Sequence, residues 1–190
     1  MKLGEFLLDS STIQRRVAEL AKEIGAYYGK ELPTIIGLLD GGLFFVVDLV
    51  RQLGSDVRVI CWRLRSYVGT SSSGRVCGLE VCQDDLRGQR VLLVDDILDT
   101  GRTLESASRR AWELGATEVE LCVLVRKASS SGLSCQPRWI GFEIPDVFVV
   151  GYGMDYCGRY RTLPSLWALS PAEERIQAAE RTTIQSPRCR

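Results

Sequence analysis

The sequence predicts an α/β domain: a central, mainly parallel sheet flanked by helices, with a smaller subdomain over the strand ends. Three observations carry this. Apolar strand-like runs alternate with helical periodicities along most of the chain, the pattern of parallel strands joined by crossover helices. Residues 91–94 are apolar throughout, as a strand covered on both faces requires. That run ends at two adjacent acids, Asp95 and Asp96, and the loop Asp99-Thr100-Gly101-Arg102-Thr103 then opens into an amphipathic segment.

Taken in order, Ile13, Val17, Leu20, Ala21, Ile24 and Tyr28 fall at helical spacing over residues 12–28, with Ser10 and Ser11 as cap candidates and Gly29 as the stop. Residues 34–39 read as a buried strand, followed by Asp40-Gly41-Gly42, a helix over 43–53 and a closing Gly54. A second strand spans 56–65. Residues 66–80 are small and polar, the composition of a lid or linker. After the run at 91–94 come a helix over 103–114 closed by Gly115, a strand over 118–125, and a soft loop over 128–137. Short strands follow at 139–140 and 147–150, separated by a turn at Pro145-Asp146. The tail 171–190 is polar and reads as a helix that frays. A single domain over 1–170 is expected, its small subdomain built mainly from about 128–170.

Composition narrows the chemistry. The 190 residues are 45% hydrophobic and 25% charged, the globular norm. Twenty-four basic residues balance 24 acidic ones, so no basic excess calls for nucleic acid. No apolar run approaches the ~20 residues of a membrane span. The opening Met-Lys-Leu-Gly-Glu-Phe has no signal-peptide core, and a cytoplasmic protein is expected. Seven cysteines are scattered without a Cys-x-x-Cys pair, and histidine is absent. Zinc sites of mixed Cys/His type are thereby excluded, and proton transfer falls to Asp, Glu, Lys, Tyr or Cys.

Within residues 91–104, a loop of small residues running into a helix N-terminus offers backbone N–H groups and the positive end of a helix dipole to an anion. Helix capping calls for one Asp or Thr; three carboxylates in five positions exceed that need. The acids suit sugar hydroxyls or a metal. The segment resembles the phosphoribosyl-pyrophosphate signature of the phosphoribosyltransferases. A second segment, residues 141–156 (Gly-Phe-Glu-Ile-Pro-Asp-Val-Phe-Val-Val-Gly-Tyr-Gly-Met-Asp-Tyr), resembles the purine-binding hood of the hypoxanthine-guanine phosphoribosyltransferases. The two together, in the same order, identify the chain as a member of that family, with the resemblance covering most of residues 30–169.

The resemblance implies a type I phosphoribosyltransferase fold with a small hood, and transfer of the 5-phosphoribosyl group from phosphoribosyl pyrophosphate to hypoxanthine or guanine, giving IMP or GMP and pyrophosphate. It implies that Asp95 and Asp96 bind the ribose hydroxyls and help hold Mg²⁺. Asp99 would be the general base for the proton on the purine's imidazole ring, and Thr100, Gly101, Arg102 and Thr103 the 5′-phosphate cradle. Lys127 would donate to the exocyclic oxygen of the purine. Phe148 would stack on the base, and Val149 would meet its edge. Asp155, at the rim of the purine site, would coordinate a Mg²⁺ bound to pyrophosphate, which Arg161 would contact. Gly41 and Gly42 would form the first pyrophosphate loop, and Ser66-Tyr67 matches the dipeptide of a closing loop. Relatives form homodimers or homotetramers.

One departure stands out. The family commonly places Lys or Arg before the double glycine, where this chain has Asp40. A carboxylate cannot pair with pyrophosphate, so backbone N–H groups would have to hold it. Two other readings remain open at this point: a regulator that keeps the signature but binds nucleic acid, disfavoured by the neutral charge, and a paralogue that binds ligand without turnover. The rank of hypoxanthine, guanine and xanthine is open too.

Overall fold

The computed structural model describes residues 3–54, 56–63 and 84–169. The segment 66–80, with Ser66 and Tyr67, and the tail 171–190 lie outside them.

Five parallel strands form the main sheet: β2 (Thr34–Leu39), β3 (Val59–Arg63), β4 (Arg90–Leu98), β5 (Glu118–Lys127) and β6 (Trp139–Ile144), in the order β3-β2-β4-β5-β6. Side chains alternate across it. Leu92 and Val94 pack against α1 (Ser10–Tyr28) and α2 (Leu43–Leu53) on one face. Val91 and Leu93 pack against α3 (Arg102–Glu113) on the other. Because both faces are covered, residues 91–94 of β4 form an unbroken apolar run. From β2 the chain winds outward through α2 to β3; from β4 it winds the opposite way through α3 to β5. The order therefore reverses between β2 and β4, and the crevice beyond their carboxyl ends is where ligands bind in open α/β sheets.

A second, antiparallel sheet in the order β1-β8-β7 joins β1 (Leu3–Leu8), β8 (Leu166–Leu169) and β7 (Val149–Val150). The sequence reading contains neither β1 nor β8. The first has bulged register and no period-two burial, and the second is short. The small sheet thus draws on the chain's first residues as well as on 128–170, while β6 joins the main sheet.

Helix α1 starts earlier than its apolar spacing implies. Its cap is Asp9, whose carboxylate accepts from the Thr12 N–H at 2.8 Å and from the Ser11 and Thr12 hydroxyls, so Ser10 and Ser11 lie inside the helix. Helix α3 starts at Arg102, one residue ahead of expectation. The strand expected over 147–150 shrinks to Val149–Val150, because the Val147 N–H closes a turn onto the Pro145 carbonyl.

Candidate active site

A cavity of about 530 Å³ opens at the switch point between β2 and β4. Its floor comes from β4. Asp95 and Asp96 belong to the strand itself and are 7% and 8% exposed, deeper than a position at a strand's end suggests. The Asp96 N–H donates to Asp95 Oδ1 at 3.0 Å. Burial pushes both carboxyls above the ordinary range, and the negative charge of Asp96 pushes Asp95 further. The charge of Arg161 offsets part of that burial cost at Asp96.

Beyond the floor, Asp99, Thr100, Gly101 and Thr103 line one wall. Gly101, at φ +76°, turns the chain into α3 as its N-cap, a left-handed conformation that glycine adopts without strain. Arg102 is the first residue of α3 and is not part of the cavity wall.

Lys127 is the last residue of β5, and its Nζ stands 2.7 Å from Asp99 Oδ2. The turn that follows is tied down by Ser130, whose hydroxyl donates to the Lys127 carbonyl at 2.7 Å and lies 3.2 Å from that of Leu98. Ser130 therefore pins the end of β5 to the end of β4 and fixes where Lys127 leaves the sheet. Phe148 and Val149 also line the cavity. Phe148 keeps 36% exposure, and its ring stands perpendicular to that of Tyr156 with centroids 5.2 Å apart.

Asp155 and Arg161 close the rim. Asp155 pairs with Arg161 at 2.8 Å and accepts from the Gly158 N–H at 2.6 Å, while Arg161 Nη1 donates to the Gly153 carbonyl at 2.6 Å.

The loop after β2 presses against this rim. The Leu39–Asp40 peptide is cis. A Cβ on Gly41 would stand 1.9 Å from Asp96 Oδ2, and one on Gly153 would stand 2.1 Å from the Gly41 carbonyl. Gly41 lines the cavity, whereas Gly42 does not; its N–H donates to the Leu38 carbonyl at 3.1 Å. Asp40 is turned toward Arg63 of β3, with Nη2–Oδ1 at 2.6 Å.

The structure thus gathers Gly41, Asp95, Asp96, Asp99, Thr100, Gly101 and Thr103 around one cavity with Lys127, Phe148, Val149, Asp155 and Arg161. Sequence reasoning missed the groups that hold them: Ser130, Arg63, and a part-buried trio behind the hood. In that trio, Tyr152 Oη donates to Asp48 Oδ2 of α2 at 2.6 Å, and Gln14 of α1 donates to the same oxygen at 2.6 Å. Burial and the contact with Asp48 raise the Tyr152 hydroxyl far above its usual range, so it stays protonated as a donor. Tyr152 has φ +46° between two glycines at +102°; the Gly-Tyr-Gly pattern was the available signal.

No three His, Cys, Asp or Glu side chains converge as a ready-made metal cage among the described residues. Asp95, Asp96 and Asp155 are hard oxygen donors. The buried pair gains from any divalent cation that neutralises it, which fits Mg²⁺ held by one or two carboxylates together with substrate phosphates.

Residues 5–157 match the family model described as a phosphoribosyl transferase domain. The chain is 34% identical over 171 residues to the hypoxanthine-guanine phosphoribosyltransferase of Bacillus subtilis, covering 90% of this chain and 95% of that one. Against the enzyme of the same name from Aquifex aeolicus it is 38% identical over 165 residues, covering 86% and 93%. Among solved structures, a hypoxanthine phosphoribosyltransferase from Staphylococcus aureus superposes with a TM-score of 0.80 at 30% identity, covering 90% of this chain and 94% of that one.

Proposed function

The chain belongs to the hypoxanthine-guanine phosphoribosyltransferase family, and from that premise we infer that it transfers the 5-phosphoribosyl group of phosphoribosyl pyrophosphate to a 6-oxopurine, releasing pyrophosphate. One observation carries the assignment of roles: the Lys127–Asp99 pair lines the same cavity as Phe148, Asp95 and Asp96. A planar base fits between Phe148 and the pair, with the ribose over the two acids and the 5′-phosphate at the start of α3.

In this reading the bond from the anomeric carbon to pyrophosphate breaks as the bond to the purine nitrogen forms, through an oxocarbenium-like state. Asp99 takes the proton from the imidazole ring. Lys127 donates to the 6-oxo group, which favours hypoxanthine and guanine over adenine, whose amino group offers no acceptor there. Entry of the base parts Lys127 from Asp99 and leaves each with a partner on the ligand. Asp95 and Asp96 accept from the ribose hydroxyls, and Arg161 meets the departing pyrophosphate. Asp155, Asp95 and Asp96 would hold Mg²⁺, which when bound neutralises the charge of the leaving group.

No helix among the described residues is long and apolar enough to cross a membrane. Among the described residues, Cys122 and Cys135 are free thiols, which supports a cytoplasmic setting. A homodimer or homotetramer is proposed, with the exposed Leu43, Phe44 and Val59 as apolar surface available to a neighbouring copy.

The test is a spectrophotometric assay with phosphoribosyl pyrophosphate, Mg²⁺ and each of hypoxanthine, guanine, xanthine and adenine. A 6-oxopurine should turn over and adenine should not. Asp99→Asn should cut kcat by about 10²–10⁴. Ligand binding without turnover of any base would instead favour the paralogue reading.

A further inference from the structure

We propose that Asp48 and Tyr152 are positioning residues for the pyrophosphate end of the site: through them α2 holds the turn that seats Arg161 and Asp155, while the base end is held by other bonds. The proposal rests on the transferase reading above. The starting point is a strained turn. Tyr152 has φ +46° between Gly151 and Gly153, both at +102°. A left-handed conformation is costly for an aromatic residue and persists only where the surroundings impose it. Here they do. The Tyr152 N–H donates to the Leu163 carbonyl at 2.7 Å. Its ring is buried in the core that α1 and α2 supply with Ile13, Val17, Phe45 and Leu49. Its hydroxyl donates to Asp48 Oδ2 at 2.6 Å, and Gln14 Nε2 donates to the same oxygen at 2.6 Å. A hydroxyl carried into a core needs an acceptor, and a carboxylate is a strong one.

The turn so anchored is what grips Arg161. The Gly153 N–H donates to the Arg161 carbonyl at 2.9 Å, and Arg161 Nη1 donates back to the Gly153 carbonyl at 2.6 Å. Arg161 Nη2 pairs with Asp155 at 2.8 Å. Helix α2 starts directly after Gly41 and Gly42, so the helix that carries Asp48 also carries the first loop. One hydrogen bond therefore ties the rim residues to the loop they face. The base end of the hood is fastened differently. Val149 pairs with Ala168 of β8, and the Leu169 N–H donates to the Phe148 carbonyl at 2.8 Å. Because two separate sets of bonds hold the two ends, losing the Tyr152–Asp48 contact should shift Arg161 and Asp155 and leave Phe148 and Val149 in place.

A role in folding alone predicts different behaviour, and the two substrates separate the readings. Tyr152→Phe removes the hydroxyl and keeps the ring. Asp48→Asn keeps an acceptor oxygen, whereas Asp48→Ala keeps none. Tyr28→Phe is the control, because the buried Tyr28 hydroxyl has no hydrogen-bond partner among the described residues. Binding of inorganic pyrophosphate with Mg²⁺ is measured by titration calorimetry, together with KM for phosphoribosyl pyrophosphate, KM for hypoxanthine and the melting temperature. Tyr152→Phe should weaken pyrophosphate and raise KM for phosphoribosyl pyrophosphate about ten-fold, the size of one hydrogen bond to a charged group. KM for hypoxanthine should stay within about two-fold. Asp48→Ala should lose at least as much, Asp48→Asn should fall between it and the wild type, and the control should match the wild type in both KM values. If Asp48→Ala does not fold, Tyr152→Phe and Asp48→Asn still decide the question. Variants that melt lower but keep wild-type affinity for pyrophosphate would overturn the proposal. So would KM values for the two substrates that rise together. Failure of the transferase reading looks different: the wild type itself would bind no pyrophosphate and turn over no base.

Discussion

Gly153 has no side chain to offer the substrate, and its carbonyl serves only to hold Arg161, yet replacing it by alanine should disable the enzyme. The added Cβ would lie 2.1 Å from the Gly41 carbonyl oxygen and 3.4 Å from the Phe44 ring, where real Cβ atoms essentially never come within 3.0 Å of another group. The atom struck is backbone, so no side-chain rotation relieves the clash. The loop after β2 and the hood must therefore part by roughly 1 Å, a misplacement that costs about 10²-fold when it separates reacting groups. That is ~2.7 kcal/mol in the barrier, and it should appear as a fall in kcat/KM for phosphoribosyl pyrophosphate. The φ of +102° adds a backbone penalty of ~1–3 kcal/mol in stability. Gly88→Ala separates the two effects: its φ is +75°, but nothing lies within 4 Å of the new Cβ. The control should melt lower and keep its kcat/KM. Steady-state kinetics and thermal melts of the two variants read both terms. A Gly153→Ala enzyme within three-fold of wild-type kcat/KM would refute the argument that this contact registers the two loops.

The floor acids should trade stability for function. Their carboxyls titrate above the ordinary 3.8 because burial disfavours both charged forms and the charge of Asp96 further disfavours that of Asp95. The fold therefore binds protons more tightly than the unfolded chain does. Their contribution is most favourable below pH 3.8 and is lost as pH rises through the elevated folded values. Asp96→Asn, in chelator and at pH 7, should raise Tm by about 2–4 °C for each ~1 kcal/mol relieved, while activity falls; an unchanged Tm with full activity would count against the reading. Lys127→Gln removes the charged donor and the partner of Asp99, and should raise KM for the base about ten-fold or more while leaving pyrophosphate affinity unchanged. Equal KM in wild type and variant would remove Lys127 from the base site.

The parts of this molecule that obey local rules were readable in the sequence. Residues 91–94 announce a doubly covered strand, the spacing from Ile13 to Tyr28 announces α1, and Gly54 stops α2 with a left-handed turn. Asp95, Asp96, Asp99 and Thr100 stood out because so many acids before a helix have no structural need. What was not readable depends on pairing between distant segments. β1 has no alternation of its own and exists because β8 offers it an edge. Asp9 outcompetes Ser10 and Ser11 as a cap by collecting three donors at once, which spacing alone does not reveal. Asp48, Tyr152 and Gln14 meet only after α1, α2 and the hood have packed. Asp40 likewise read as a defect in the first loop until the register of β2 with β3 placed Arg63 against it.

The central claim is tested most directly by identifying the products. The protein, incubated with phosphoribosyl pyrophosphate, Mg²⁺ and hypoxanthine, is analysed by mass spectrometry for nucleotide and pyrophosphate over time. The account predicts IMP and pyrophosphate in equal amounts, with adenine inert under the same conditions. Conversion of phosphoribosyl pyrophosphate to ribose 5-phosphate without nucleotide, or its recovery unchanged in the presence of every 6-oxopurine, would contradict it.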